Sequence, residues 1–516
     1  MSDDNSLPSQ NRSVGTVYLV GAGAGDPGLL TMRGRECLAL ADVVLYDGLV
    51  NPMLLALSHA QAERTSRMTA AGGRRLDQKS INERLINAAR QGKTVVRLKG
   101  GDPFLFGRGS EEAAALAAEG IPFEVVPGVT AALAAADYAG FSLTHRDISS
   151  AVALITGHED HQKTASRLDY SSLAKFPGTL VFYMGFAQVK KITQSLIAAG
   201  MPSTTPAAVV CHASRPSQQT LTGTLDDLPQ RVASSTLTPP SLIIVGDCVR
   251  QREQIAWFEK KPLFGLRIGI TRPEGHADET ITRCLQLGAE PVNLSAIDVL
   301  PLSDFSEMDR ILPELSRFDW LVFTSVNGVT SLLDRIWHLG GDARWLGRTK
   351  LACIGPATAT ALERYRLRAD IVPTSYRAEE LAAALQPHVR GRRVLWAKAT
   401  RGRDVLPVAL KEAGAEVSLL EVYQNIDRPN FPEAALTRIA EGSLDWIGLS
   451  SPSIARSVAA LWPKEHRAAL GTTIRLAAIS PVTAAAALEC GLTITTTASN
   501  YTWDGLFEAI RQTHSQ

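Results

Sequence analysis

Residues 20–31 read VGAGAGDPGLLT and directly follow an apolar run, Val17–Val20, that predicts a strand. Three glycines at alternate positions permit a tight turn and let a ligand approach the backbone closely. A dinucleotide-binding G-x-G-x-x-G would need a glycine where Asp26 stands, which argues against NAD or FAD. The stretch therefore predicts a strand-to-helix turn of an α/β sheet that faces another kind of ligand.

Strand-like and helical segments alternate along the first half of the chain. Apolar residues at helical spacing predict helices such as Glu111–Glu119 and Lys190–Ala199. The predicted strands are Val17–Val20, Val43–Tyr46, Thr94–Leu98, Val152–Thr156 and Thr179–Tyr183. This alternation is typical of an α/β fold with mostly parallel sheets.

A charged segment, Asp247–Pro262, interrupts the pattern and predicts a domain boundary near residue 260. Beyond it the α/β rhythm restarts, and the predicted strands are Arg267–Thr271, Trp320–Thr324, Leu351–Ile354, Arg393–Ala397, Trp446–Ser450 and Leu476–Ile479. Five of them end in small or polar residues, at 271–273, 324–328, 355–358, 450–453 and 480–483. Such ends favour an anionic-ligand cleft, because they leave backbone N–H groups free at a helix start. Simple helix N-capping is the alternative.

Composition narrows the class of protein. A chain of 516 residues has room for several domains, and its net charge of +1 argues against a nucleic-acid partner. We find no apolar run near the roughly 20 residues that span a bilayer. Residues 1–13 are polar and predict a disordered lead rather than a secretory signal. The six cysteines form no C-x-x-C pair, and His158 and His161 lack further ligands, so we predict buried thiols, no metal and a cytoplasmic location.

A second glycine-rich stretch, residues 95–112, reads VVRLKGGDPFLFGRGSEE. Its glycines would let the loop lie against a flat ligand, and Asp102 could accept hydrogen bonds from that ligand. Three cations of the stretch, Arg97, Lys99 and Arg108, could bind substrate carboxylates, and Arg146 in a later loop extends this pattern.

Together these segments resemble the tetrapyrrole methylase family, specifically its uroporphyrinogen-III C-methyltransferases, over residues 14–258. The resemblance implies two α/β lobes with S-adenosylmethionine (SAM) between them and a homodimer formed through this half. By position, the residues it assigns to the cofactor are Ala24, Gly100, Gly101, Asp102, Leu105, Thr130, Ala131, Met184 and Ala213. It also implies that Asp47 is the catalytic proton acceptor. From the residue patterns alone, Met184 could instead pack in the core and Asp47 could be a helix N-cap.

Two positions depart from the methylase pattern. Ala24 stands where the family usually has proline, and an ungapped count places Thr69 where the family has a lysine assigned as proton donor. The stretch 66–77 contains no lysine, although Arg67, Arg74 and Arg75 could bind substrate carboxylates. These departures keep open a degraded methylase that only binds SAM or a porphyrinogen.

The second half, residues 265–516, resembles uroporphyrinogen-III synthase. The matching segments include FDWLVFTSVNGV (318–329), LLEVYQN (419–425) and AISPVTAAAALECGL (478–492). The resemblance implies two Rossmann-like lobes, at about 265–298 with 427–516 and at about 302–424, and it implies no cofactor. Tyr423 is the candidate for assisting loss of the substrate hydroxyl, with a half-buried interface tyrosine as the alternative. The remaining cleft candidates are Thr271, Arg272, Ser325, Arg401, Arg403, Ser451 and Thr483, the last with N-capping as its alternative.

The two resemblances imply consecutive steps on small-molecule tetrapyrroles. The second half would cyclise hydroxymethylbilane, and the first would methylate the product to precorrin-2, for sirohaem or cobalamin. An active synthase joined to a degraded methylase is one alternative. A second half that only binds a small ligand between its lobes is another.

Overall fold

The computed structural model describes residues 14–65, 77–157, 168–273, 277–374, 377–401 and 405–514. The predicted lead at 1–13, the His158 and His161 pair, Thr69 with its neighbouring arginines, and Arg403 lie outside these residues. The chain forms two compact units, one of residues 1–266 with 284–290 and one of 267–283 with 291–516.

The first unit is an α/β structure whose core strands are long apolar runs. Both faces of these strands are covered, so Val, Leu and Ile fill them almost without interruption. Its strands are β1 (Val17–Gly21), β2 (Val43–Tyr46), β3 (Gln61–Arg64), β4 (Val95–Lys99), β5 (Phe123–Val126), β6 (Val152–Thr156), β7 (Thr179–Tyr183), β8 (Pro206–Cys211), β9 (Gln219–Thr224) and β10 (Ser241–Val245). Its helices are α1 (Met32–Leu40), α2 (Gln78–Arg90), α3 (Gly109–Ala118), α4 (Ala131–Ala139), α5 (Tyr170–Ala174), α6 (Val189–Ala198), α7 (Leu228–Ala233) and α8 (Arg252–Ile255).

These strands form two five-stranded sheets of different character. The first has the order β3-β2-β4-β1-β5 and is parallel throughout. The second has the order β6-β7-β10-β8-β9, and only its β6–β7 pair is parallel. The prediction of mostly parallel pairing is therefore wrong for this sheet. A short loop at 212–218 turns β8 back into β9 as a hairpin, which forces antiparallel pairing.

The charged segment that predicts the boundary is packed onto the first unit. Phe258 is buried against Tyr138 and Trp257, and Glu259 accepts hydrogen bonds from Gln218 (2.9 Å) and Thr220 (2.6 Å). Its charge pattern therefore marks the end of this unit rather than an exposed linker.

The second unit repeats the α/β rhythm. Its strands are β11 (Arg267–Ile270), β12 (Glu290–Asn293), β13 (Ile297–Leu300), β14 (Trp320–Phe323), β15 (Lys350–Cys353), β16 (Arg393–Ala399), β17 (Glu416–Asp427), β18 (Trp446–Leu449), β19 (Arg475–Ala478) and β20 (Thr496–Thr497). Its helices are α9 (Asp278–Gln286), α10 (Ser306–Ile311), α11 (Val326–His338), α12 (Pro356–Glu363), α13 (Ala378–Val389), α14 (Val405–Glu412), α15 (Glu433–Ala440), α16 (Pro452–Leu461), α17 (Pro481–Glu489) and α18 (Trp503–His514).

Two sheets divide this unit into lobes, as the resemblance to uroporphyrinogen-III synthase implies. One has the order β12-β11-β18-β19-β20 and the other β13-β17-β16-β14-β15. The second lobe is therefore inserted in the chain between strands of the first. The prediction ends the first segment of the first lobe at residue 298, which is slightly too late. Ile297 already pairs with Asp427 of the long strand β17 in the other sheet.

Several sequence-level expectations concern burial. Five of the six cysteines are buried and unpaired, as predicted, and Cys490 is partly exposed. Within the described ranges, no three His, Cys, Asp or Glu side chains come together in a way that could hold a metal ion. In the same ranges, the helices all fall short of the length and apolar content needed to cross a membrane.

Candidate functional site

The first unit contains a cavity of about 510 Å³ at the carboxyl ends of its strands. The turn after β1, the loop after β4, the start of α4 and the loops after β7 and β8 form its wall. This is where open α/β sheets bind ligands. All nine residues that the methylase resemblance assigns to the cofactor lie on this wall: Ala24, Gly100, Gly101, Asp102, Leu105, Thr130, Ala131, Met184 and Ala213.

Two glycines allow the loop after β4 and the segment before α4 to pack closely against each other at the cavity. A Cβ on Gly128 would lie 2.3 Å from the carbonyl oxygen of Gly101, so no larger residue fits there. Gly101 has φ of +71°, but a Cβ there would meet nothing nearer than 3.6 Å. Its backbone therefore faces the open cavity, and its glycine serves the turn and the access of a ligand rather than packing.

Asp102 holds the second glycine-rich loop in shape. Its carboxylate accepts hydrogen bonds from the backbone N–H groups of Phe104 (2.9 Å), Leu105 (3.1 Å) and Gly128 (3.1 Å). These bonds tie the loop after β4 to the segment before α4. A direct contact between Asp102 and the cofactor stays a prediction.

Strained backbone is concentrated around the cavity. Of the six described non-glycine residues with positive φ, Phe106 (52°), Met184 (54°) and His212 (49°) line it, and two more follow or precede wall residues. Such conformations cost free energy and cluster at ligand sites. Met184 is 53% exposed, so the alternative of core packing is wrong.

Tyr183 is a wall residue that sequence reasoning missed. Its hydroxyl lies 2.7 Å from Thr130 Oγ1 and accepts a hydrogen bond from the N–H of Ala132 (3.0 Å). It thus caps α4, whose own N-cap residue makes no side-chain capping bond. Burial raises the pKa of Tyr183, which keeps the phenol protonated. Its place at the end of a predicted strand, next to Met184, was the available signal.

Replacing Tyr183 with phenylalanine is expected to weaken SAM binding about 2- to 10-fold, because one hydrogen bond contributes roughly 0.5–1.5 kcal/mol. Removal of the Tyr183 hydroxyl would leave Thr130 Oγ1 without this hydrogen bond and the N–H of Ala132 without its acceptor. Calorimetric titration with SAM measures it. Tyr46→Phe, at the end of β2 and off the cavity wall, is the control. Equal affinity in Tyr183→Phe and the parent would contradict this role.

Asp47 follows β2 and does not begin a helix, so the N-cap alternative is wrong. Its carboxylate accepts hydrogen bonds from Arg97 and from Thr65 Oγ1 (3.3 Å). Arg97 and Lys99 are buried and pair with Glu112, at 3.1 and 3.0 Å. Two of the predicted substrate-binding cations thus contact carboxylates of the chain itself.

The other two predicted cations of this unit lie at the surface. Arg108 donates to the Glu111 carboxylate at 2.7 and 2.5 Å, and Arg146 is exposed. Both are within reach of solvent, so substrate binding by them stays a prediction.

In the second unit the structure brings Tyr423 and Ser325 together. Tyr423 lies on β17, is 7% exposed, and its hydroxyl is 3.0 Å from Ser325 Oγ. Burial raises the pKa of Tyr423, so the phenol keeps its proton. Ser325 also accepts a hydrogen bond from the N–H of Gly328 (2.9 Å) and so caps α11.

Three further synthase candidates lie in the lobe that contains β11 and β18, at or after the ends of its strands. Thr271 is fully buried and donates to the carbonyl of Gly448 at 2.6 Å. Ser451 caps α16 through the N–H of Ile454 (3.2 Å). Thr483 is fully buried, and Ser480 rather than Thr483 is the N-cap of α17. N-capping is therefore confirmed for the serines, and Thr483 stays a substrate-binding prediction.

Two arginines of this unit are held by neighbouring side chains. Arg272 donates to Thr280 Oγ1 at 3.2 Å, and Arg401 pairs with Asp427 at 2.6 Å. In these contacts neither arginine pairs with a buried carboxylate, whereas Arg97 pairs with the buried Glu112.

Each half of the chain matches a known protein family. Residues 16–229 match the family described as tetrapyrrole (corrin/porphyrin) methylases, and residues 278–508 match uroporphyrinogen-III synthase HemD. The chain is 36% identical over 440 residues to porphyrin biosynthesis protein HemD of Ruminiclostridium josui, which covers 85% of this chain and 87% of that protein.

Two further similarities cover the first half. Siroheme synthase 1 of Yersinia enterocolitica is 48% identical over 257 residues, and this chain spans only 54% of its length. A crystal structure of uroporphyrin-III C-methyl transferase from Thermus thermophilus, complexed with S-adenyl homocysteine, is 38% identical. It matches with a TM-score of 0.40, over 46% of this chain and 99% of that one.

Proposed function

The chain belongs to the family of porphyrin biosynthesis protein HemD and matches the tetrapyrrole methylases in its first half and uroporphyrinogen-III synthase in its second, and from this we propose that it catalyses two consecutive steps. The second unit closes hydroxymethylbilane to uroporphyrinogen III. The first unit then transfers methyl groups from SAM to give precorrin-2, for sirohaem or cobalamin.

The observation that most strongly supports the methylase step is that all nine predicted cofactor residues line one cavity. Nine positions drawn from separate segments line one hollow, whose volume is in the range of about 300–1,000 Å³ usual for ligand sites. The wall fits SAM: Gly101 exposes its backbone, and Leu105 and Met184 offer apolar contact. SAM supplies an electrophilic methyl group, so the protein's task is to align it with an electron-rich pyrrole carbon.

Methylation of a ring carbon also releases a proton. Asp47 can accept it, because its carboxylate stays partly exposed, with 31% of the side chain accessible, while Arg97 fixes one oxygen. Asp47 does not line the cavity wall, so its substitution should separate proton acceptance from cofactor binding.

Ring closure asks for less chemistry from the second unit. Loss of hydroxide leaves a reactive cation-like chain, and the protein must fold that chain so that its two ends meet. The Tyr423 hydroxyl can donate its one hydrogen bond to the departing oxygen, while the Ser325 hydroxyl, which accepts from the N–H of Gly328, donates to the phenol oxygen.

The decisive experiment supplies the intact chain with hydroxymethylbilane and SAM under anaerobic conditions and identifies every product. We expect uroporphyrinogen III followed by its dimethylated derivative. Uroporphyrinogen III alone would favour the degraded methylase, to which Ala24 on the cavity wall points. No ring closure would favour a second unit that only binds. The homodimer and the cytoplasmic location stay predictions from the sequence.

A further inference from the structure

Four charged side chains form a buried cluster beneath the end of β2, and we call Asp47, Arg97, Lys99 and Glu112 the charge cluster. Arg97 and Lys99 are 2% exposed and Glu112 is fully buried, whereas Asp47 reaches solvent. Two cations face two carboxylates, so the cluster is neutral overall. Burying unpaired charge is costly, and neutrality explains how these groups persist inside the unit.

Arg97 is the centre of this arrangement. Its Nε donates to Glu112 at 3.1 Å, its Nη1 to Thr65 Oγ1 at 3.1 Å, and its Nη2 to Asp47. Nη1 also lies 3.4 Å from the carbonyl oxygen of Leu45. A planar guanidinium bonded along all its edges cannot rotate, so the orientation of the Asp47 carboxylate is fixed from below.

Glu112 holds Arg97 from the opposite side, and Lys99 in turn holds Glu112. Lys99 Nζ lies 3.0 Å from Glu112 Oε2 and 4.0 Å from Asp47 Oδ2. Glu112 also accepts from Gln78 at 3.0 Å. From the neighbouring strand, Arg64 reaches the carbonyl of Gly48 at 3.5 Å rather than Asp47. Among the residues that the structure describes, the charged groups that face Asp47 are therefore Arg97 and Lys99.

We propose that Arg97, held by Glu112, is a positioning residue that keeps the Asp47 carboxylate aimed for proton acceptance. This rests on the proposed methyl transfer. It replaces the prediction that Arg97 and Lys99 bind substrate carboxylates, because the hydrogen bonds of the buried Arg97 run to groups of the chain itself.

Arg97→Lys keeps the charge and removes the planar fork. We expect kcat for methyl transfer to fall about tenfold, with KM for uroporphyrinogen III and for SAM within about twofold of the parent. Arg33→Lys, in an exposed pair with Glu124, is the matched control and should leave all three constants unchanged. A raised KM for uroporphyrinogen III with unchanged kcat would mean that Arg97 binds substrate, and would overturn the proposal.

Thr65→Val provides a milder variant should Arg97→Lys fail to bind SAM. It removes one hydroxyl that contacts both Arg97 and Asp47. Aspartate labelled with ¹³C at its carboxyl group, with the Asp47 signal assigned through Asp47→Asn, reports the environment of that carboxylate without any turnover. We expect the Asp47 carboxyl signal to shift or broaden in both variants, because its oxygens are no longer held in one orientation, and signals identical to those of the parent would overturn the proposal. Altered Asp47 signals in both variants of a parent that transfers no methyl group would count against the proposed function alone.

Discussion

Asparagine in place of Asp47 is expected to slow methyl transfer by about 10²- to 10⁴-fold, the usual contribution of a positioned acid or base. The amide is similar in size but cannot accept a proton at neutral pH. Affinity for SAM should stay within about twofold, because Asp47 is not part of the cavity wall. Single-turnover methylation of uroporphyrinogen III, together with calorimetric titration of SAM, measures the two effects separately.

Asp42→Asn is the matched control for this substitution. Asp42 precedes the same strand at its opposite end, where its carboxylate accepts a hydrogen bond from the N–H of Thr94 at 2.8 Å. It should leave methyl transfer unchanged. Ring closure should be normal in both variants, since neither residue belongs to the second unit. A methylation rate in Asp47→Asn equal to that of the parent would show that another group takes the proton.

Phenylalanine in place of Tyr423 is expected to slow ring closure by about 10- to 100-fold. A hydrogen bond to a group that becomes charged contributes roughly 1.5–3 kcal/mol, and each 1.36 kcal/mol is a factor of ten in rate. The substitution removes only the hydroxyl beside Ser325 and leaves the buried ring in place. Conversion of hydroxymethylbilane to uroporphyrinogen III, timed with and without the protein, measures the effect.

The pH dependence and a second tyrosine sharpen this test. Burial raises the pKa of Tyr423, so the protonated phenol persists above its ordinary value of about 10, and ring closure should not decline below that pH through Tyr423. Tyr365→Phe, which removes a hydroxyl bonded to Asp334 at 2.6 Å in the same unit, should close the ring at the parental rate. If both variants slow equally, Tyr423 has a structural role and not a catalytic one.

The strands were predictable because contiguous apolar runs are a strong signal in α/β proteins. Val43–Tyr46, Val152–Thr156 and Thr179–Tyr183 begin and end where the sequence predicts. Pairing direction was harder, since a hairpin such as β8–β9 depends on a loop that contains no distinctive turn motif. The two lobes of the second unit followed from the resemblance, and the residues misplaced were those near its two crossings, around 297 and 427.

Side-chain direction was the least predictable property of the candidate site. On β4 every residue is buried, so nothing in the alternation of polar and apolar residues tells whether Arg97 and Lys99 face a ligand or the interior. Tyr183 was missed for a related reason: an aromatic residue ending a buried strand is indistinguishable from core until its hydroxyl finds Thr130. The glycine-rich loops, in contrast, predicted a ligand cavity, because few other structures need so many glycines.

The insertion of one lobe into the other constrains synthesis on the ribosome. Arg267 and Asp445, which pair beside β11 and β18, are 178 residues apart in the chain. At bacterial and eukaryotic translation speeds of roughly 5 to 20 residues per second, the edge of β11 that pairs with β18 waits roughly 10 to 40 s, although β12 on its other edge emerges soon after it. The intervening lobe can complete its own sheet in that interval, and the exposed first strand is then a natural point for chaperone capture.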